Sequence, residues 1–301
     1  LPELFSALQI VVDEHKDYRY ILSGSSDFLL MQNISQTLAG RVAVTRLLPL
    51  SISELKEDAN IDTNTLMWKG FYPGVWGDGK DPGNVYDSYV STYLQRDVRQ
   101  ILNIKDLSLF QKFLTIVASR VGNVFIASSI ASELGVDYKT IQSWMSILET
   151  SYTAFLLQPF HRNIGKRLTK TPKIYFYDIG LVCHLLGIEN EQHIKNHPLR
   201  GAIFENMVVC EMLKRRYNKG LKSNLYFYRD QSAEVDVIQE EASSIKAYEI
   251  KSAERFNQEF TKSLSYVQKL LGDEISSSYI IYSGEEEIKF KNFSLINYHN
   301  L

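Results

Sequence analysis

The period of the apolar positions changes several times along this chain, and the changes divide it into zones. Residues 1–55 read as helix ("LFSALQIVVDEH"), strand ("YRYILSG"), helix ("DFLLMQNIS") and strand ("RVAVTRLLPL"), an α/β alternation. Residues 56–110 begin polar and pass through the loop "YPGVWGDGKDPGN". They then predict a helical connector over "VYDSYVSTYLQRDVRQIL". Helical spacing dominates from 111 to about 165, and the pattern is mixed α/β from "KIYFYDIGLVCHLLGI" onward. No internal repeat or low-complexity tract interrupts the pattern.

Two runs in the last zone, "EVDVIQ" and "IKAYEIK", alternate with period two, as half-buried strands do. The link "EASS" between them is short enough for a hairpin. A loop of that length pairs Glu240 with Ile245. Asp236 is then set opposite Glu249, and Glu234 opposite Lys251. Val235 and Val237 are expected on the other face with Tyr248 and Ile250. Opposed carboxylates are unfavourable on a sheet, so a positive charge is expected between them. A divalent metal, Mg²⁺ or Mn²⁺, is the natural candidate, because hard cations prefer carboxylate oxygens. Phe204, Val208 and Met212 form an apolar stripe that lays a helix on this sheet, with Glu205 at its edge. Three converging carboxylates should repel one another and raise at least one pKa unless a cation is bound.

In the third zone, "IASELGVDYKTIQSWMSILET" reads as a helix-turn-helix. Ile130, Leu134, Ile141, Trp144 and Leu148 form its buried set, Gly135 makes the turn and Asp137 caps the second helix. That helix exposes Tyr138, Lys139, Gln142 and Ser143, which could reach base edges or phosphates. The following stretch resembles a wing hairpin. From His161 to Lys173 it carries Arg162, Lys166, Arg167, Lys170 and Lys173 with no acid. Such a patch suits phosphate contacts, DNA above all. Winged helices also serve as protein-contact modules, and composition does not choose between the two uses.

Bulk composition narrows the classes. The 301 residues carry a formal charge of -2 and a pI near 6.4, so nucleic-acid binding has to come from local patches rather than a generally basic surface. Cys183 and Cys210 sit in apolar helical surroundings and read as buried thiols of a cytoplasmic protein. No stretch is long and apolar enough for a membrane span, and no signal peptide opens the chain. The opening "LPELFSAL", without Met, is expected to lie inside something longer. "IVVDE" imitates the acidic strand of an ATPase, but the next expected strand follows too closely for a parallel crossover, which places these residues on the first helix. The six histidines show no metal-ligand spacing, and no G-x-x-x-x-G-K-[ST] or G-x-S-x-G occurs. Asp178, after the run "KIYFY", is expected to cap the next helix and organise the core.

The segments "LPELFSALQIVVDE", "YILSGSS", "TLAGRVAVTRLLPLSISEL", "YLQRDV", "PKIYFYDIGL", "FENMVVCEML" and "EVDVI…EIKSA" occur in that order. This set resembles a prokaryotic family of AAA-type ATPases with a C-terminal domain of uncharacterised function, along essentially the whole chain. In that family the phosphate loop and its partner acid precede "LPEL". The resemblance implies a multidomain α/β chain: the C-terminal part of an ATPase core (1–55), a helical connector (56–110), a winged-helix domain (111–173) and a restriction-endonuclease-like domain (174–301). ATP would then be bound only by the full-length parent, with Ser25 near the γ-phosphate and Arg41 contacting nucleotide. Homo-oligomer formation through the ATPase part is a further implication. The order Glu205, Asp236, Glu249-x-Lys251 resembles the PD-(D/E)xK nuclease core, in which the carboxylates hold Mg²⁺ and the lysine serves the attacking water. No proline precedes Asp236, a departure from the fullest pattern. Inactive members keep the same scaffold, so a regulatory or scaffold role with protein partners stands beside metal-dependent cleavage of nucleic acid.

Overall fold

The computed structural model describes residues 2–15, 17–22, 40–55, 61–94, 107–161 and 170–301. Helix α1 (Pro2–Glu14) takes in "IVVDE", as its spacing predicts. The two strands expected near 18–22 and 41–50 do not form. A strand exists only by pairing, and here Leu50 makes one backbone–backbone bond, its N–H donating to Phe71 O at 2.9 Å. Ile21 and Leu47 are 94% and 93% exposed. The α/β alternation of an ATPase core is therefore not seen among the described residues.

The connector is more broken than its periodicity suggests. The Gly- and Pro-rich loop holds short helices after α2 (Thr63–Lys69): α3 (Pro73–Trp76) and α4 (Pro82–Ser88). Each of the last two starts on a proline, whose fixed φ suits a first helical position. Asp81 caps α4 by accepting from Asn84 N–H at 3.0 Å. One π-helical turn (Tyr89–Leu94) continues it.

Helices α5 (Leu107–Ser119), α6 (Ala127–Leu134) and α7 (Tyr138–Thr150) follow. Gly135 ends α6 at φ 67°, where a side chain would be strained, and Asp137 caps α7 through Lys139 N–H at 2.7 Å. Trp144 packs edge-on to Phe110 at 5.5 Å and tilted on Phe113 at 5.3 Å. Tyr138, Lys139, Gln142 and Ser143 face solvent. The helix-turn-helix geometry thus forms as read. Strands β1 (Ala154–Leu157) and β2 (Lys173–Phe176) then pair antiparallel, Ala154 with Phe176 and Leu157 with Lys173.

Beyond α8 (Ile179–Leu185) and α9 (Glu191–Lys195) lies the long helix α10 (Arg200–Tyr217). A six-stranded sheet completes the chain, in the order β3-β4-β5-β6-β8-β7. Strands β3 (Leu225–Arg229), β4 (Glu234–Glu240) and β5 (Ile245–Lys251) form an antiparallel meander. After α11 (Lys262–Leu271), β6 (Ile275–Tyr282) runs parallel to β5. The two-residue β7 (Ile288–Lys289) pairs antiparallel with β8 (Ser294–Asn297), which runs parallel to β6. Phe204, Val208 and Met212 of α10 join a large apolar core that also takes in Val237, Tyr248 and Ile250. Leu264 and Val267 of α11 form a second core with Val235, Ile238 and Ala247. The apolar positions of β4 and β5 are divided between these two cores, one on each side of the sheet.

The hairpin register is as counted from Glu240, paired with Ile245, to Val237, paired with Tyr248, but it stops short of the expected Asp236–Glu249 and Glu234–Lys251 pairs. One detail differs. Between β3 and β4 the register slips, Tyr226 pairing with Ile238 but Tyr228 with Val235. Asp236 and Val237 therefore both stand opposite Phe227, a bulge that turns the first half of β4 over. Val235 and Val237 consequently enter different cores instead of sharing a face.

Candidate functional site

The placement of Glu205 begins with Asn206. On β2, Phe176 N–H donates to Asn206 Oδ1 at 2.7 Å, and Asn206 Nδ2 returns a bond to Phe176 O at 2.9 Å. Asn206 is fully buried, so this double bond fastens α10 against β2. Glu205 is thereby held beside the residues of β2 that share one strand face, Lys173 and Tyr175. The Tyr175 hydroxyl donates to Glu205 Oε1 at 2.5 Å and Lys173 Nζ does so at 3.2 Å.

Lys173 is buried and bridges two acids, since its Nζ also lies 2.5 Å from Glu234 Oε1. Glu234 Oε2 in turn meets Arg229 Nε at 3.3 Å. Two expectations are corrected here. Lys173 belongs to the acidic cluster and not to a solvated basic wing. Glu234 does not face Lys251, because the bulge turns it toward Lys173.

Asp236, 8% exposed, accepts the Ile250 N–H at 2.7 Å just past the last regular β4–β5 pair. The bulge thus replaces a strand hydrogen bond with a carboxylate. Glu249, 6% exposed, meets Lys251 Nζ at 2.6 Å through Oε1. Its Oε2 is buried with no hydrogen-bond partner. Glu205, Asp236, Glu249 and Lys251 are brought together from one helix and two neighbouring strands.

Burial first, and then the charge of Asp236, push the Glu205 carboxyl up to about 7 and that of Glu249 up to about 8. Burial alone would depress both lysines. The Glu205, Asp236 and Glu234 charges outweigh it at Lys173, and those of Asp236, Glu249 and Glu205 at Lys251, so both stay above the ordinary lysine value.

The donor set suits a hard cation in chemistry: three carboxylates, with one oxygen unsatisfied. It is not arranged as a closed cage. Among the described residues no group of three or more His, Cys, Asp or Glu side chains is placed to hold a metal ion. Lys173 brings positive charge to Glu205 and Glu234, and Lys251 brings it to Glu249.

The other expected contacts spread more widely. Gln142 of α7 and Lys170 line one cavity of about 550 Å³, together with Tyr138. Lys139 is exposed on the neighbouring face. Arg162, Lys166, Arg167 and Ser25 lie outside the described residues. Arg41 makes a two-pronged pair with Asp13, at 2.7 and 3.0 Å. Lys173, Tyr175 and Asn206 escaped the site prediction. The signal present was the i, i+2 spacing of Lys173 and Tyr175 within an apolar strand.

Residues 1–56 match the model of an AAA domain. Residues 60–192 and 200–301 match two domains of unknown function, DUF8612 and DUF4143. The chain is similar to AAA-like, ATPase-related proteins of prokaryotes. An uncharacterised protein of Mycobacterium tuberculosis is 28% identical over 292 residues, which cover 95% of this chain and 63% of the relative. An uncharacterised protein of Methanocaldococcus jannaschii is 23% identical, over 73% of this chain and 52% of its own length. One of Haemophilus influenzae is 22% identical, over 66% and 52%. The chain thus spans between about half and two thirds of these curated relatives. No solved structure matches it. No helix among the described residues is long and apolar enough to cross a membrane.

Proposed function

We propose that this chain is the C-terminal portion of an AAA-like ATPase that acts on nucleic acid in the cytoplasm, and that Glu205, Asp236, Glu249 and Lys251 form a divalent-metal-dependent phosphodiester-cleaving site. ATP and homo-oligomer formation belong to the full-length protein in this reading. The observation that carries it is the proximity of the Glu205, Asp236 and Glu249 carboxylates, together with a buried oxygen, Glu249 Oε2, that has no donor. Buried acceptors are seldom left unpaired without a use.

Asp236 and Glu249 would hold the ion, with Glu205 completing the set. Mg²⁺ or Mn²⁺ would supply a polarised phosphate and a water of lowered pKa. Asp236 is kept in place by the Ile250 N–H, and Tyr175 orients Glu205. Lys251 sits where an ammonium can steady charge developing on the phosphate, and its pairing with Glu249 fixes that position. Lys139, Gln142 and Lys170, with Arg162, Lys166 and Arg167, supply a basic approach for the strand, DNA in preference.

A second reading also has an observation behind it. Lys173 and Lys251 already balance the carboxylates, as an inert scaffold that binds protein partners would require. Melting curves with and without Mn²⁺, run beside a plasmid-cleavage assay, separate the two. Metal should raise the Tm of the parent. Asp236→Asn and Glu249→Gln should abolish that rise, and Lys251→Met should keep it while losing cleavage. An identical Tm with and without Mn²⁺ would leave the scaffold reading standing.

A further inference from the structure

A different cavity, of about 380 Å³, opens at the far end of α10. Arg215, Arg216 and Lys219 reach it from the last turn of the helix and the residues after it, while Tyr248 and Tyr279 reach it from the sheet. No aspartate or glutamate side chain lines it, and Leu301, which bears the α-carboxylate of the 301-residue chain, stands at its wall. Arg216 is eleven residues beyond Glu205, about 16 Å along the helix at 1.5 Å per residue. Tyr248 and Glu249 are consecutive in β5 and so point to opposite faces of the sheet. The cavity is therefore separate from the carboxylate site.

Its walls combine two recognition chemistries. Tyr248 and Tyr279 are register partners on adjacent parallel strands, and their rings stack with centroids 5.0 Å apart and 15° between planes. The Tyr248 hydroxyl donates to Gln239 Oε1 at 2.8 Å, which fixes the ring of that residue. Of the three cations beside them, only Arg215 has an acidic partner among the described residues. Arg215 meets Glu211 only at 3.5 Å, and Glu211 is already engaged by the Ile52 N–H at 2.9 Å. Arg216 donates one bond, from Nε to Lys222 O at 2.8 Å, leaving its terminal nitrogens available to an anion. Neither Arg216 nor Lys219 forms an ion pair among the described residues. Structural arginines and lysines at a helix end ordinarily face open water. Here they border a hollow whose other wall is a rigid aromatic pair.

From this juxtaposition we infer a binding site for a nucleoside phosphate, with the base beside Tyr279, the half-buried member of the pair that the buried Tyr248 backs, and the phosphate on Arg216 and Lys219. The same chemistry is offered by a free nucleotide and by one unit of a nucleic-acid strand. The site does not depend on the metal reading of the carboxylates. The chain contains no G-x-x-x-x-G-K-[ST] loop to take up the same ligand elsewhere.

The test titrates the 301-residue chain by calorimetry with AMP, adenosine, inorganic phosphate and a 5′-phosphorylated single-stranded oligonucleotide. AMP should bind at least tenfold more tightly than phosphate or adenosine alone. Lys219→Glu, an exposed position that should leave the fold untouched, should weaken AMP tenfold or more. Tyr279→Ala should reduce AMP to the affinity of phosphate, and Tyr279→Phe should restore the preference. An oligonucleotide that binds more than tenfold tighter than AMP identifies a strand as the natural source, and the reverse identifies a free nucleotide. AMP binding no tighter than phosphate, or AMP affinity unmoved by both Lys219→Glu and Tyr279→Ala, would overturn the site.

Discussion

Asp178 and Glu249 are both carboxylates buried in apolar surroundings, and they are served very differently. Asp178 accepts from Phe71 N–H at 2.7 Å, Tyr86 hydroxyl at 2.7 Å and Leu181 N–H at 3.1 Å. Near it Lys214, also buried, donates to Leu50 O at 2.7 Å and lies 4.2 Å from the centre of the Phe71 ring. Every charge there has a partner whose removal would expose a gap. Glu249 has a single lysine and an oxygen with none. The first region is saturated and holds the helices to the segment around Leu50. The second keeps unspent electrostatic potential in a place water barely reaches. Burial of a charge alone does not distinguish the two regions; the completeness of its pairing does.

The largest effect that could break this contrast is at Asp178. Asp178→Ala leaves three donors stranded and should cost about 4 kcal/mol in urea unfolding. A loss under 1 kcal/mol would mean the saturated region is not a structural anchor.

Next comes the pH response. The Glu205 and Glu249 carboxyls are held up near 7 and 8, above the ordinary carboxylate value, so the folded state binds protons more tightly than the unfolded chain. The stability they contribute is fully present below about pH 4.5 and is lost as pH rises through 7 to 8. Without metal, the contribution of these two groups should fall between pH 5 and pH 9, by at most about 7 kcal/mol. Glu249→Gln should remove much of that slope, read as Tm against pH. An unchanged slope would show that Glu249 is not under strain.

Lys173→Met should be milder, because protonation of the acids can compensate. We expect about 2 kcal/mol lost at pH 8 and little at pH 5, by denaturant titration at both values. A loss equal at both would assign Lys173 to packing against Phe227, 5.5 Å from its ammonium, and not to charge balance. Smallest is Lys251→Met. Lys251 is a third exposed, so the stability change should stay near 1 kcal/mol. Its loss should still push the Glu249 carboxyl further up, visible as a later midpoint in a carboxylate-selective NMR titration.

The difference between the two regions also sets what could be read in advance. Local rules sufficed for Gly135, for the Asp137 cap, for the Asp178 cap and for the β4–β5 register, because each depends on residues within a few positions. Asp236, Glu249 and Lys251 could be grouped through one hairpin, and Glu205 joined them through the resemblance to a nuclease core, with one helix stripe in support. Lys173 could not, since its partner acids lie 32 and 61 positions away and its own neighbourhood is basic. The bulge at Asp236 was equally hidden. An alternating pattern gives the same letters with or without a slipped residue when both sheet faces are buried. The expected strands near 18–22 and 41–50 failed for a related reason: apolar runs state what a backbone could do, and pairing decides whether it does.

Lys173 falls in one matched stretch and Glu205 in the next, and the joint between them carries more than a linker. Phe160 packs into the second core, and its N–H reaches Phe227 O at 2.6 Å. A recombination event that delivered residues 200–301 to another protein would arrive without Lys173, Tyr175 and Phe160. Glu205 and Glu234 would lose their shared cation, and Phe227 an edge partner. The two stretches are therefore expected to be inherited as a pair, and a lineage that separates them should carry a replacement cation opposite Glu205.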